Sequence, residues 1–257
     1  MSNPILVTGG TGALGRQVVS QLVAAAGRPV RIASRRERPA GDTVPYEWAT
    51  VDYKTGAGLA AAVSGVSAIV HCAGSYFDTS VEDALVPVAI AADRPHLIYI
   101  SIVGIDRIPF GYYKAKLAAE QVVIGSGLPW TILRTTQFHD LVFRAGDALS
   151  RSPIVPLPAG VPVQPIDSAE VADRLVELAA GPPAGAVPDM GGPQVRDATE
   201  LVRIYLRSKG KRRLLLPIRL PGKAFRAFKN GYHLSEDHAV GRITFEQALS
   251  TPVGGKR

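Results

Sequence analysis

The sequence predicts an α/β protein: a doubly wound parallel sheet with a small C-terminal lobe. Three observations carry that expectation. Short apolar runs alternate with amphipathic helical stretches through the first half of the chain, the pattern of strands joined by crossover helices. The first run, Ile5-Leu6-Val7, passes through a glycine-rich turn into a helical pattern. Beyond residue 150 the composition shifts to proline- and glycine-rich connections between shorter helical patterns.

In chain order, strands are expected at 4–8, 29–33, 46–51, 67–72, 96–102 and 129–134. Helices are expected at 13–26, where Val18, Val19, Leu22 and Val23 share a face, and at 55–64, 80–92 and 111–126. Right-handed crossovers then cover both faces of a parallel sheet. Ser150 to Pro165, with Pro153, Pro156, Pro158, Pro162 and Pro165, reads as loop. Ser168 is placed to cap a helix whose apolar positions are Val171, Leu175, Val176 and Leu178. A second proline- and glycine-rich stretch, 181–193, precedes a helix at 197–208 with Leu201, Ile204 and Tyr205 inward. The remainder reads as short helices with a frayed tail from Thr251 to Arg257. The expected organisation is a core over 1–150 and a substrate-covering lobe over 151–257, integrated with it as a single domain.

With 257 residues, 46% hydrophobic and 20% charged, the chain has the composition of an ordinary globule with room for a sizeable core. No apolar run reaches the length of a membrane span, and the first strand begins almost at Met1, leaving no room for a signal peptide. The single cysteine, Cys72, has no internal partner, which fits a reducing compartment; the expected location is the cytoplasm. A net charge of +7 raises the question of nucleic acid. The basic residues are spread out apart from Lys209, Lys211, Arg212 and Arg213, which read as a solvated loop, so no nucleic-acid partner is expected. Histidines 71, 96, 139, 233 and 238 lack ligand spacing, so no metal is expected. Of these, His139 follows the sixth strand and is expected at the surface, with reach into the substrate pocket as the alternative. Neither a G-x-S-x-G elbow nor a G-x-x-x-x-G-K-[ST] loop occurs.

The chemistry-bearing segment is Val7 to Gly15. Gly10, Gly12 and Gly15 fit G-x-G-x-x-G, while Gly9, Gly12 and Gly15 fit G-x-x-G-x-x-G. In either register glycines permit a tight turn and close approach to a pyrophosphate, and Gly15 permits close packing of helix on sheet. The free N–H groups and positive dipole at the helix start favour an anion. The second strand ends in Ser34-Arg35-Arg36, where an acidic residue would grip the free ribose hydroxyls of NAD. Arg35 and Arg36 suit a 2′-phosphate instead, so NADP(H) is preferred over NAD(H); the alternative is a solvated basic turn formed with Arg38.

Tyr112 and Lys116 stand four residues apart at the start of a helix and share a face. A nearby ammonium is expected to lower the phenol's pKa and make it a usable proton donor. Ser101 closes the run Leu97-Ile98-Tyr99-Ile100, which puts a hydroxyl at the carboxyl end of a strand, fit to orient a carbonyl.

Taken together, Thr8-Gly9-Gly10-Thr11-Gly12-Ala13-Leu14-Gly15, Asp52, His71-Cys72-Ala73-Gly74, Ser101 and Tyr112-x-x-x-Lys116 resemble the short-chain dehydrogenase/reductase superfamily, with its Rossmann sheet. More narrowly, Tyr99-Ile100-Ser101-Ile102-Val103-Gly104-Ile105 and Ser126-Gly127-Leu128-Pro129-Trp130-Thr131-Ile132-Leu133-Arg134 are similar to its atypical, NmrA-like NAD(P)H-binding branch. The resemblance implies that Gly9, Thr11, Gly12, Ala13 and Leu14 cradle the pyrophosphate, that Asp52 faces the adenine edge and that Ala73 and Gly74 pass beneath the adenosine ribose. It implies that Lys116 holds the nicotinamide ribose hydroxyls while tuning Tyr112, and that Thr135-Thr136-Gln137-Phe138 borders the nicotinamide. Asp52 fits equally the start of the turn Asp52-Tyr53-Lys54. His71-Cys72-Ala73-Gly74 departs from the asparagine pair of the superfamily's better-known members, and the branch includes redox-sensing regulators that reduce nothing obvious. Retention of Tyr112 points to chemistry.

The expectation is an NADPH-dependent oxidoreductase reducing a carbonyl or quinone of a small apolar molecule, as a monomer or homodimer. The alternative is a non-catalytic NADP(H)-binding redox sensor. The basic amphipathic stretch Lys223–Lys229 reads as a lid helix packing its phenylalanines on the pocket, with a membrane-surface role as the alternative.

Overall fold

The structure, a computed structural model, describes residues 3–25 and 27–250. The tail from Thr251 and the expected end of the first helix at residue 26 lie outside the described residues. The chain forms two compact units and crosses between them several times. The first holds the chain through Ser101, Gly111–Arg134 and Ala169–Pro188; the second holds Ile102–Phe110, Thr135–Ser168 and the chain from Asp189.

The first unit is built on a seven-stranded parallel sheet. Its strands are β1 (Ile5–Thr8), β2 (Val30–Ser34), β3 (Glu47–Thr50), β4 (Ala68–His71), β5 (His96–Ile102), β6 (Trp130–Thr135) and β9 (Gly185–Ala186). They lie in the order β3-β2-β1-β4-β5-β6-β9. The order reverses direction between β1 and β4, where a doubly wound sheet opens its crevice. One face of the sheet, led by Leu6, Ile69, Leu97 and Tyr99, packs against three helices: α2 (Leu59–Val63), α3 (Ser80–Ala91) and α4 (Gly111–Gly125). The side chains alternate along each strand, so Ile32 faces the other way, toward Val19 of α1 (Ala13–Ala24). The Gln21 side chain of α1 donates to the Ala169 carbonyl at 3.0 Å and so ties α1 to α6 (Ser168–Ala180).

The first-half elements match their sequence expectation closely. The exception is α2, expected from residue 55 but beginning at Leu59. Gly56 and Gly58 hold left-handed φ angles of 77° and 75°, and a Cβ on Gly58 would stand 2.1 Å from the Thr50 carbonyl oxygen. That turn excludes a helical start at Thr55. α4 is fastened to β6 by a fork of Arg134, whose Nε and Nη2 donate to the two carboxylate oxygens of buried Glu120 at 2.9 and 2.7 Å.

The second unit centres on α5 (His139–Leu149), α7 (Ala198–Ser208) and α9 (Phe245–Ser250), which share a core of Phe143, Leu201, Tyr205 and Phe245. His139 is buried, with Nε2 3.1 Å from the Ile243 carbonyl; the surface position expected for it is corrected, because Phe143 and Phe245 flank its ring. Asp197 caps α7 by accepting from the Thr199 amide at 2.8 Å. Ser168 opens α6, and its hydroxyl donates to Asp140 at 3.1 Å. Buried Gln164 spans this unit: Nε2 donates to the Gly192 carbonyl at 2.8 Å, and Oε1 accepts from the Ser235 amide at 2.8 Å.

Two stretches depart from expectation. Ser150–Pro165, read as loop, contains β7 (Ile154–Pro158) and β8 (Pro162–Val163), and the presumed helical remainder contains β11 (Leu214–Ile218). β7 and β11 form a separate two-stranded parallel sheet, with Leu214 opposite Ile154 and Leu216 opposite Pro156. A two-stranded sheet has only edges, so prolines without an N–H fit wherever no ladder partner is needed. β8 pairs antiparallel with β10 (Arg196–Asp197). The basic stretch Lys223–Lys229 forms a helix, α8, whose Phe228 meets Phe110 and His233 edge-on at 6.1 and 5.1 Å.

The Glu120–Arg134 fork yields a stability prediction. Arg134→Met strands a buried carboxylate and should cost about 3 kcal/mol. Adding Glu120→Met should restore most of the loss, read from the denaturant midpoints of the two variants.

Candidate active site

β1 ends at Thr8 and the chain turns at once through Gly9, whose φ of 65° is left-handed. A Cβ there would also stand 2.8 Å from the Ala73 nitrogen, so the turn presses on the segment leaving β4. The Gly12 amide closes the turn on the Gly9 carbonyl at 2.8 Å, and a Cβ on Gly15 would stand 2.2 Å from that same carbonyl oxygen. Gly9 and Gly15 are therefore demanded by packing alone. Gly12 is different: an added Cβ would meet only the Gly9 oxygen, at 3.2 Å, and the residue is exposed with Thr11 and Ala13. As N-cap of α1 it brings no side-chain cap, and the first turn has no acidic residue. The opening amides of α1 thus lack both acceptor and counter-charge, the arrangement that accepts a phosphate.

Beyond β2 the loop divides its arginines. Arg38 is committed, with Nη1 donating to the Tyr46 carbonyl at 3.3 Å, Nε 3.6 Å from Asp42 and the guanidinium 4.8 Å above the Tyr46 ring. Arg35 and Arg36 are exposed, and neither guanidinium has a hydrogen bond or ion pair among the described residues. Two guanidinium groups after β2 without protein partners fit an anion and a solvated basic turn alike. Asp52 accepts from the Lys54 amide at 2.8 Å, and backbone donation from Lys54 heads the causes that hold its carboxyl below the usual range. Ala73 donates its amide to the Thr8 hydroxyl at 3.3 Å, and Gly74 is exposed.

Ser101, at the end of the first unit's share of β5, is 1% exposed, and its Oγ has no hydrogen-bond partner among the described residues. A buried hydroxyl without a partner costs about 1–3 kcal/mol unless something fills the need. On α4, Tyr112 is half-buried with its ring 5.2 Å from that of Tyr76. Burial, then Tyr76, push its phenol above the ordinary value. That reverses the expected lowering by Lys116. The cause is the direction of the lysine: buried Lys116 donates to the Tyr99 hydroxyl at 2.6 Å and to the Ile100 carbonyl at 2.9 Å, with Nζ 4.1 Å above the Tyr99 ring. Of its three N–H donors two are spent and one remains.

Lys116 heads a buried polar chain that the sequence did not disclose. The Tyr99 hydroxyl faces Glu82 Oε1 at 3.3 Å, Glu82 Oε1 stands 3.4 Å from His71 Nε2, and His71 Nδ1 meets the Thr8 hydroxyl at 2.6 Å. Glu82 is 1% exposed; desolvation raises its pKa, but His71 and Lys116 outweigh it and the carboxyl ends below its ordinary value. Tyr99 lies in an otherwise apolar run and Glu82 in the first turn of α3, and neither position signals the other. Only pairing β4 and β5 beside α3 brings them together. Thr135, the remaining candidate, belongs to the second unit, where its carbonyl accepts from the Val103 amide at 3.0 Å. No cluster of potential metal ligands occurs among the described residues.

Desolvation pushes Lys116 down to about 8, against the pull of Glu82 and Glu120. Between about 8 and the ordinary value of 10.5 the unfolded lysine binds more protons than the folded one, so the native state gains stability as pH rises through that window. Melting curves of the protein and of Lys116→Met should show the parent gaining on the variant as pH rises from about 8 to 10; a gap constant with pH would contradict the depressed lysine.

Comparison with known proteins bears on the family and the fold. A family model described as NAD(P)H-binding matches residues 9–182. A curated relative, (4-alkanoyl-5-oxo-2,5-dihydrofuran-3-yl)methyl phosphate reductase of Streptomyces griseus subsp. griseus, is 30% identical over 181 residues, covering 69% of this chain and 63% of the relative. The chain thus matches less than two thirds of that relative's length. Among solved structures, the NADPH-dependent quinone oxidoreductase QOR2 of Escherichia coli, complexed with NADPH, aligns with a TM-score of 0.79 at 18% identity over 96% of this chain and 98% of its own. The triphenylmethane reductase of Citrobacter sp. aligns at 0.77 and 20% identity over 97% and 98%. No helix among the described residues is long and apolar enough to cross a membrane. The chain belongs to the NAD(P)H-binding family, with the fold of the atypical, NmrA-like short-chain dehydrogenase/reductases.

Proposed function

We propose that the protein is an NADPH-dependent reductase acting on a carbonyl or quinone of a small apolar molecule. The observation that carries this reading is the buried Ser101 hydroxyl, unpartnered at the carboxyl end of a sheet strand in the unit that holds the glycine turn. The residues present fit the dinucleotide. The uncapped start of α1, with Gly9, Thr11, Gly12, Ala13 and Leu14, would hold its pyrophosphate, and Arg35 and Arg36 its 2′-phosphate. Asp52, Ala73 and Gly74 would border the adenosine, and the spare N–H of Lys116 would hold a ribose hydroxyl. Thr135 would border the nicotinamide.

When bound, the nicotinamide supplies a hydride. Ser101 Oγ would donate to the acceptor's carbonyl oxygen and fix its pose. Tyr112 stays protonated because burial raises its pKa, and so holds at its Oη the proton that a developing oxyanion needs. Lys116 acts through Tyr99 as well as the ribose: its charge sits against the Tyr99 phenol, which borders Tyr112. Two relatives' names support a carbonyl-bearing acceptor. One is a quinone oxidoreductase, and the other is named for an alkanoyl-substituted oxo-dihydrofuran that also carries a methyl phosphate.

The test is NADPH oxidation across a panel of quinones and ketones. Tyr112→Phe should lose at least about a hundredfold in turnover while keeping NADPH affinity, the usual worth of a positioned proton donor. Binding without turnover on any acceptor would favour a redox sensor. Separately, Arg35→Ala should weaken NADPH at least about tenfold more than NADH, since it removes a charge-assisted bond to the extra phosphate. Equal effects on the two would refute the 2′-phosphate assignment.

A further inference from the structure

The basic residues of this chain are not evenly distributed. From Leu201 to Ser235 there are ten Lys and Arg residues and no Asp or Glu, so the remainder of a chain with net charge +7 carries net −3. None of the ten makes an ion pair among the described residues. Three are held in place: Lys209 lies over the Tyr205 ring at 5.5 Å, Lys211 Nζ donates to Ser150 Oγ at 2.8 Å, and Arg213 Nε donates to the Ser150 carbonyl at 3.0 Å. Of the others, Arg203 stands near enough to Glu200 to help hold its carboxyl below the ordinary value, and the remaining six, on α7, beside β11 and on α8, make no side-chain hydrogen bond among the described residues.

Within this basic segment lies an apolar surface. The β7–β11 sheet turns Val155, Leu157 and Leu215 inward against Val202 and Leu206 of α7. Its other face is bare: Leu214 is 63% exposed, and Leu216 and Ile154 are each 48% exposed. Leu220, just past the strand, is 43% exposed. Arg212 and Arg219 frame the strand at its two ends. A hollow lined by Arg207, Gly210, Lys211 and Arg212 lies in the same basic segment.

We propose that this face of the second unit docks on the surface of a lipid bilayer carrying anionic headgroups. The leucines would enter the boundary of the acyl chains, while the cations meet the headgroup phosphates. The charge selects this occupant over others. A second copy would bring the same cations against these and be repelled. Nucleic acid would satisfy the cations but leave the leucines facing phosphate and water. Insertion of α8, the alternative to a lid, is not the route, because Phe228 is packed against Phe110 and His233. The proposal needs no cofactor and stands apart from the reductase reading.

The experiment is co-sedimentation of the full chain with vesicles of phosphatidylcholine alone or with about one-third phosphatidylglycerol. Partition onto the anionic vesicles should exceed that onto the neutral ones at least about tenfold and weaken as salt rises from about 0.1 to 1 M. Each basic residue near such a surface is worth about fivefold, so Arg212→Gln with Arg219→Gln should cost about twenty-five-fold. Leu214→Ser with Leu216→Ser should cost at least about tenfold. Unchanged melting temperatures would show that both variants stay folded. Three results would each overturn the proposal: equal partition onto both vesicles or onto neither; anionic binding that ignores the leucine change; or a shift in oligomeric state on leucine replacement, which would make the face an interface between copies.

Discussion

The first unit depends on one steric constraint: three stretches of backbone meet where β1 ends. Gly9 leaves no room for a Cβ because the Ala73 nitrogen is 2.8 Å from where it would sit, and Gly15 none because the Gly9 carbonyl would stand 2.2 Å away. Those two contacts set how closely α1 and the end of β4 approach β1. The same closeness aims the opening amides of α1 past Gly12, the one glycine of the turn whose missing side chain leaves space to solvent. Packing thus claims only some of the glycines. A larger residue at Gly9 or Gly15 would break the fold, whereas at Gly12 packing leaves room for one.

A second constraint is electrostatic. Lys116, Glu82 and Tyr99 are all nearly inaccessible to water, which disfavours the charged form of each. The chain from Lys116 through Tyr99, Glu82 and His71 to Thr8 lets one buried charge compensate another. Lys116 is balanced by Glu82 and Glu120, and Glu120 in turn by the Arg134 fork from β6. The chain links the lysine to the strand end from which the glycine turn departs. A change in the charge of Glu82 would therefore be felt at both ends of the network.

The first-half fold was legible because its signals are local. An apolar run, a glycine turn and a helical period are each complete within about a dozen residues, and strands alternating with helices imply right-handed crossovers and a parallel sheet. The candidate residues were legible as a set, through the spacing of Ser101, Tyr112 and Lys116. Their contacts were not. That Lys116 turns to Tyr99 instead of Tyr112 depends on β5 lying beside α4, seventeen residues away in the chain. The pairing of β7 with β11 was hidden for the same reason, and by prolines that argue against strands everywhere except at an edge.

Charge shows a different kind of blindness. A net +7 spread over 257 residues suggests a mildly basic globule, because the acids of one segment offset the bases of another in the sum. The sum hides that thirty-five consecutive residues contain no acid at all. A fold-preserving role such as ion pairing would demand partners, and this segment lacks them among the described residues. Ten self-repelling cations destabilise the folded chain, and three exposed leucines and an isoleucine add apolar surface that water disfavours. An external anionic surface with an apolar interior relieves both costs together. Neither water nor a simple polyanion relieves more than one.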